Sequence, residues 1–496
     1  MKRFGLSIVA IAALALSACS TAPEPGESQR QSERYPGVYA QTIDWGACTE
    51  DFGMTETMAE KLESRGAPTD TFRCAMVEAP LNWDTPASHQ TIELAVVHVP
   101  STGDSPRGTL FGNPGGPGGS GLEYTYGQTT REEFGEVLAN YDLIGFDPRG
   151  IGKSSPLVCD DVSASKVLDI ATCADAYPLA HSMGTSQVAR DMDLLRELMG
   201  EDRLDYLGYS YGTVVGATYS TLFPERVGRM LLDSAIGSQW ASLTGHFDQS
   251  SAIVKAIEFM LAECGVSYEV TTCPIANESA LRHTIQSFEE QPKFASDGTE
   301  VGGGMLWGHL LKALYGGTVP REIALDSFGR AIGGEQAAID EIAEAMSGGG
   351  AEVGLSGQIV SCHSFPRDPD VLGLVERVEE LGLPEMLGGP AITDEALMGF
   401  TDLSCFALPE AGDDLTSFRG SPDATILVVG ITGDHATPYA QSVALVRELG
   451  NARLLTLEGE GHAAAYTGKS SCVTEAATAF LVEGTLPAEG TVCAKD

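Results

Sequence analysis

Hydrophobic and polar positions fall into three regimes along the chain. Between about residues 41 and 236, short apolar runs of strand length alternate with longer stretches whose apolar positions recur at helical spacing. Thr91 to Val99 sets Ile92, Leu94 and Val96 against polar or small neighbours, the alternation of a strand at a sheet edge. Thr109-Leu110-Phe111, Tyr141 to Phe146, Arg203 to Leu207 and Val227 to Leu232 are short buried strands. Thr185 to Met199 places Val188, Met192 and Leu195 on one helical face, with Thr185 or Ser186 to cap it and Gly200 to end it. From about Ile236 to Ala424 no clear buried strand is legible. Helical stretches at 252–263, 278–289, 321–332 and 335–346 alternate there with breaks such as Gly302-Gly-Gly304 and Gly348-Gly-Gly350. The strand pattern resumes at Thr425 to Ile431, continues through a helix from Tyr439 to Leu449 and a strand from Ala452 to Leu457, and ends in a helix from Ser471 to Glu483.

Strand and helix alternation of this kind predicts a mostly parallel sheet wound by helices. The expected organisation is a leader over 1–18, a flexible tether over 19–40, a core over 41–236 and 425–496, and a largely helical cap inserted over 237–424.

The stretch Gly208-Tyr-Ser-Tyr-Gly212 gives this scaffold its chemistry. It is a G-x-S-x-G pentapeptide between a strand and a helix, the setting of a nucleophile elbow. The tight turn lifts the serine hydroxyl clear of the sheet. The helix amino end beneath it offers N–H groups to a developing oxyanion. A serine needs a base, and histidine titrates in the right range. A carboxylate then fixes its tautomer. Asp434 follows the Thr425–Ile431 strand and His462 follows the next, so Ser210, Asp434 and His462 come in the order α/β-hydrolases use. Asp233, after the strand beyond the elbow, is the rival acid, and Asp434 is preferred. His435 is expected to be a surface or loop residue, and His98, His181 and His246 structural or exposed. Gly112-Asn-Pro-Gly-Gly-Pro-Gly-Gly-Ser-Gly121 follows a strand where the second oxyanion donor belongs, with Gly115 or Gly116 to act beside Tyr211. Asp147 and Arg149 are expected to brace their loop as a local ion pair. Asp191 and Asp193 are expected to be solvated or capping charges.

Several of these segments together resemble the proline iminopeptidase-like α/β-hydrolases. Asn113-Pro-Gly-Gly-Pro-Gly-Gly-Ser-Gly121 resembles the iminopeptidase glycine loop, with Pro114 where that loop has histidine. Phe146 to Ser154, Val188 to Asp193, Gly208 to Thr213 with Phe223-Pro224, Thr432-Gly-Asp434 with Thr437-Pro438, and Gly461-His462 resemble the secreted tripeptidyl aminopeptidases of actinobacteria. The resemblance implies an α/β-hydrolase fold with a helical cap. It also implies a serine exopeptidase that releases short peptides, or proline-type residues, from free amino termini. Cap carboxylates, such as Glu289 with Glu290 or Glu341 with Glu344, would anchor the substrate ammonium, although a solvated helix face accounts for each of them. Neither cofactor nor metal is called for. An esterase or lipase on the same fold, and a hydrolase-like binding protein without activity, are the alternatives.

Charge and cysteines add the compartment. The formal net charge is -39, which opposes binding to nucleic acid or to an anionic membrane surface. Met1-Lys2-Arg3 followed by apolar Phe4 to Leu16 and Leu16-Ser-Ala-Cys19 has the form of a bacterial lipoprotein leader, with Cys19 as the lipidated residue. Membrane attachment is then expected only through that lipid, with secretion as the alternative. Of the 11 cysteines, ten remain. In an exported chain they are expected to pair as sequence neighbours: Cys48–Cys74, Cys159–Cys173, Cys264–Cys273, Cys362–Cys405 and Cys472–Cys493.

Overall fold

Apolar runs that alternate between two buried faces assemble into a single ten-stranded sheet. A computed structural model of the chain describes residues 26–159, 166–270, 273, 275, 277–347, 354–368, 370–400, 404–408 and 415–496. The leader and Cys19 lie outside them. In chain order the first strands are β1 (Gly46–Ala47), β2 (Arg73–Pro80), β3 (Thr91–Val99), β4 (Thr109–Asn113), β5 (Asp142–Phe146), β6 (Leu204–Tyr209) and β7 (Val227–Asp233). A small antiparallel pair, β8 (Lys293–Phe294) and β9 (Glu300–Val301), belongs to the long connection after β7. The large sheet is completed by β10 (Ile426–Gly433), β11 (Ala452–Glu460) and β12 (Val492–Ala494).

Its strand order is β1-β2-β3-β5-β4-β6-β7-β10-β11-β12. The first three strands pair antiparallel, as does β3 with β5, and every pairing from β5 to β12 is parallel. Chain order reverses around β4, which has β5 on one side and β6 on the other. The crevice at the carboxyl ends of β4 and β6 is therefore the switch point at which ligands enter open α/β sheets.

Both faces of the sheet are covered, as a parallel sheet requires. Leu94, Val96, Phe111, Ile144, Leu232 and Val428 pack into one core. Their neighbours Ala95, Val97, Leu110, Leu143, Leu231 and Val429 pack into the other. The β3 expectation needs correcting here. The strand is interior, between β2 and β5, and Ala95, Val97 and Val99 are as buried as Ile92, Leu94 and Val96 on its other face. Glu93, Ala95 and His98 interrupt the apolar run and made a two-faced strand look one-faced.

Four further expectations are corrected. The stretch after residue 26 is not a tether: Glu27–Arg34 and Pro36–Tyr39 are helices, and Ser28, Gln31 and Tyr35 are buried. Its polar residues are held by specific bonds, such as Gln31 Nε2 donating to the Arg190 carbonyl at 2.9 Å. Asp147 and Arg149 do not pair with each other. Asp147 accepts from Ser120 Oγ at 2.6 Å and from the Lys153 N–H at 2.8 Å. Arg149 meets Asp191 at 2.6 and 2.8 Å, with both side chains fully buried. Asp193 is also buried, bonded to Arg196 and the Tyr219 hydroxyl. The helix that carries both aspartates, Thr185–Leu198, is capped by Gly184, not by Thr185 or Ser186. Thr185 Oγ1 is engaged instead with Tyr211 Oη at 2.8 Å and Ser364 Oγ at 2.7 Å.

Between β7 and β10 the chain forms helices, the longest being Leu243–Ala262, Glu278–Glu290 and Thr318–Ile332. They have a core of their own, built on residues such as Ile257, Leu281, Leu306, Leu325, Phe328 and Ile342. Five disulfides close Cys48–Cys74, Cys159–Cys173, Cys264–Cys273, Cys362–Cys405 and Cys472–Cys493. Bonds of this number belong to an oxidising, extracytoplasmic compartment. Among the described residues no helix is long and apolar enough to cross a membrane.

Candidate active site

Ser210 lies between β6 and the helix Tyr211–Leu222, with φ 53° and ψ -124°. A non-glycine residue is rarely held there, and the strain persists because the surroundings over-determine it. Packing explains the flanking glycines. A Cβ on Gly208 would lie 2.5 Å from the Gly212 carbonyl oxygen, and one on Gly212 would lie 2.7 Å from the Asn113 carbonyl oxygen. The Ser210 N–H donates to the Asp233 carbonyl at 3.0 Å, which ties the elbow to the end of β7.

The glycine loop after β4 sits directly against this turn. At Gly115, where φ is +90°, a Cβ would fall 2.4 Å from the Tyr209 carbonyl oxygen and 2.8 Å from the Tyr211 nitrogen. The two expected donors of this loop are not equivalent. The Gly115 N–H is committed to Asn113 Oδ1 at 2.9 Å. Gly116 lines the cavity in which Ser210 stands.

Asp434 and His462 follow β10 and β11. His462 Nδ1 lies 2.9 and 3.0 Å from the two Asp434 carboxylate oxygens. The same carboxylate accepts from the Ala436 N–H at 2.9 Å, the Thr437 N–H at 3.0 Å and Thr437 Oγ1 at 3.0 Å. Burial pushes this carboxyl up. The charge and hydrogen bond of His462, with the Thr437 N–H, outweigh it and hold Asp434 below the usual carboxylate value. Thr437 had appeared in the sequence only as part of a motif, with no role.

The rival acid, Asp233, is buried and faces the backbone beyond the histidine. It accepts from the Ala464 N–H at 2.9 Å and from the Ala465 N–H at 2.6 Å. Burial raises its carboxyl to about 6. Beside it Ser234 Oγ accepts from the Ala463 N–H at 2.8 Å. Lys469 Nζ donates to the His462 and Ala463 carbonyls at 2.8 and 2.9 Å. The loop carrying His462 is thereby anchored on two sides.

Ser210 and His462 open onto one cavity of about 710 Å³, bounded by Gly116 to Gly119, Trp240, Lys312, Tyr315 and Thr437 among others. Lys312 and Tyr315 come from the long connection, so its helices roof the site. The Tyr315 ring stands edge-on to His462 at 5.6 Å and to His435 at 4.8 Å. No sequence pattern marks Tyr315. His435 is a loop residue but not a surface one: it is 1% exposed, and burial pushes its imidazole down to about 3. His246 also departs from expectation by lining the cavity. His98 pairs with Asp142 at 3.0 Å, and His181 Nε2 lies 3.2 Å from the Ala174 carbonyl oxygen. Of the four glutamates expected to anchor a substrate ammonium, Glu341 is engaged by Arg330 and Glu289 accepts weakly from the Gly304 N–H at 3.4 Å. None of Glu289, Glu290, Glu341 or Glu344 is among the described residues lining the cavity.

A parallel sheet with a strained serine after one strand, a buried acid after a later one and a histidine after the next defines a serine hydrolase of the α/β-hydrolase class. Family models agree: residues 109–254 match the alpha/beta hydrolase fold, and residues 395–493 match the TAP-like proteins. The chain thus has the α/β-hydrolase fold with a TAP-like carboxyl-terminal part. It is 28% identical to the serine protease Hip1 of Mycobacterium tuberculosis, over 99% of this chain and 98% of that one. It is also 28% identical to carboxylesterase B of the same species, over 99% of this chain and 97% of that one. A tripeptidyl aminopeptidase of Streptomyces coelicolor is 35% identical over 39% of this chain and 38% of its own.

Proposed function

We propose that this serine hydrolase is an aminopeptidase that releases short peptides from free amino termini through an acyl-enzyme on Ser210. The observation that carries the reading is the convergence of the strained Ser210 and the Asp434-paired His462 on one roofed cavity. Nδ1 of His462 is occupied by the carboxylate, which leaves Nε2 to take the serine proton. Ser210 Oγ then attacks the scissile carbonyl carbon. The carbonyl oxygen becomes an oxyanion held by the N–H groups of Tyr211 and Gly116. His462 returns the proton to the departing amine, and the C–N bond breaks. Water repeats the sequence on the ester, so that the acid leaves and Ser210 is restored. The buried Asp434 stays ionised throughout and stabilises the imidazolium.

The peptidase assignment draws on relatives named as a serine protease and a tripeptidyl aminopeptidase. Carboxylesterase B, matched over as much of the chain, supports an esterase as the second reading. Export and lipid attachment at Cys19 belong to the same proposal, with a helical cap over 237–424. The test is a panel of free and amino-blocked mono-, di- and tripeptidyl arylamides with a short acyl ester. Turnover confined to free amino termini supports the aminopeptidase. Turnover of the ester alone replaces it with an esterase. Ser210→Ala is expected to lower kcat at least 1,000-fold on either substrate, on the order of the loss that accompanies removal of a triad member, with an unchanged melting profile. Near wild-type turnover in that variant removes Ser210 as nucleophile.

A further inference from the structure

We propose that a second cavity beside the nucleophile receives a large apolar side chain adjacent to the scissile carbonyl, and that the Cys362–Cys405 disulfide builds its outer wall. The inference rests on the reading of Ser210 as nucleophile but not on the choice between peptide and ester.

This cavity has a volume of about 290 Å³ and shares Trp240 and His246 with the catalytic cavity. It is at the small end of the roughly 300–1,000 Å³ typical of small-molecule pockets, which suits one side chain and not a whole peptide. Its lining is dominated by Trp240, Leu243, Phe365, Pro366 and Phe406. The Tyr211 ring meets Trp240 at 6.1 Å and Phe365 at 6.3 Å, both edge-on. The residue whose N–H would hold the oxyanion thus packs directly on two of the pocket's walls. The two cavities meet at Trp240 and His246, and that junction is the proposed way from Ser210 into this space.

The walls come from separate parts of the chain, so something must join them. Helix Leu355–Ser364 supplies Ser361 and Cys362. Cys405 and Phe406 lie on a different segment, and the disulfide connects the two. Arg367 reinforces the junction. Its Nη2 donates to the Leu408 carbonyl at 2.6 Å and the Cys405 carbonyl at 3.2 Å, and its guanidinium lies 4.7 Å from the Phe406 ring centre. This is a cation–π geometry, and it holds in place a phenylalanine that is 60% exposed. On the opposite side Asp368 accepts from the Leu243 N–H at 3.0 Å. The two charged residues of the pocket are thus engaged with backbone and are opposite in sign. They brace the walls, and the surface left for a substrate is mainly apolar and aromatic, with His246, Gln358 and Ser361 as its remaining polar members.

The test compares kcat/KM for Ala-Ala-Phe against Ala-Ala-Ala arylamides, and for 3-phenylpropionyl against acetyl p-nitrophenyl esters. The wild-type protein is expected to favour the larger member of the cleaved pair by roughly tenfold or more, the scale of apolar pocket discrimination. Ser361→Phe fills the cavity and should lower that ratio at least tenfold. Phe406→Ala removes an exposed wall residue that folding does not need, and should lower it in the same direction. Cys405→Ser, which opens the wall, should also lower the ratio. A wild-type preference for the smaller member overturns the pocket, as does a ratio unmoved by both Ser361→Phe and Phe406→Ala. Failure of all four substrates overturns the Ser210 reading instead, and the pocket with it.

Discussion

The Asp233 carboxylate accepts the Ala465 N–H at 2.6 Å, so the end of β7 holds the loop that presents His462. Asp233 is thereby distinct in role from Asp434, although both are buried carboxylates at strand ends.

The environment of Asp233 sets a pH dependence. Burial raises its carboxyl to about 6, above the ordinary value near 4. Between about pH 4 and 6 the folded protein keeps a proton that the unfolded chain releases. The contribution of this group to stability is therefore complete below about pH 4 and falls as pH rises through 6. The loss is on the order of 2–3 kcal/mol. Asp233→Asn should flatten the fall of melting temperature across that window. An identical slope in wild type and variant would show that Asp233 is not the group responsible.

Much of this arrangement is written in the sequence, and the rest is not, for identifiable reasons. Ser210, Asp434 and His462 sit at ends of apolar runs next to glycines, so both strand and turn signals mark them. Asp191 and Asp193 misled because a charge on a helix is ordinarily solvated. Arg149, the partner of Asp191, is supplied by packing that periodicity does not encode, and what buries the i,i+3 pair of Asp193 with Arg196 is the packing of that helix face against Tyr219 and Ser28. Tyr315 reaches the catalytic cavity, and Phe365 the cavity beside it, from the ends of helices whose spacing reports only their own amphipathic faces. The helix Glu27–Arg34 is polar in composition and is held by bonds to distant residues, such as Ser28 to Arg196 at 3.0 Å.

The Arg149–Asp191 pair should be costly to break. Asp191 takes two bonds from Arg149 and one from Trp83 Nε1 at 2.9 Å, all without solvent. Asp191→Ala leaves a buried guanidinium uncompensated and should destabilise the fold by about 3–5 kcal/mol. Asp326→Ala, which removes a half-exposed partner of Arg330, should cost less than about 1 kcal/mol. Denaturant unfolding with the disulfides intact compares the two. Equal midpoint shifts would refute the distinction between buried and exposed pairs.

Two glycines separate a backbone requirement from a mere absence of side chain. Gly115 has φ +90°, and a Cβ there would meet the Tyr209 carbonyl oxygen at 2.4 Å and Ser210 Cβ at 3.0 Å. Neither obstacle is a flexible side-chain end, so the loop itself must shift. On the proposed mechanism that shift would move the neighbouring Gly116 N–H away from the oxyanion, where donor geometry is worth a factor of about 100–1,000 in kcat. Gly115→Ala should therefore lower kcat by about that much with little change in KM. Gly127 lies within the helix Gly121–Gln128, and a Cβ there would meet nothing within 4 Å. Gly127→Ala should leave kcat unchanged and stabilise the protein by about 0.5–1 kcal/mol, by removing freedom from the unfolded chain. Steady-state kinetics and thermal melting on the two variants decide the matter. A fully active Gly115→Ala protein would mean that this loop does not supply the oxyanion donor.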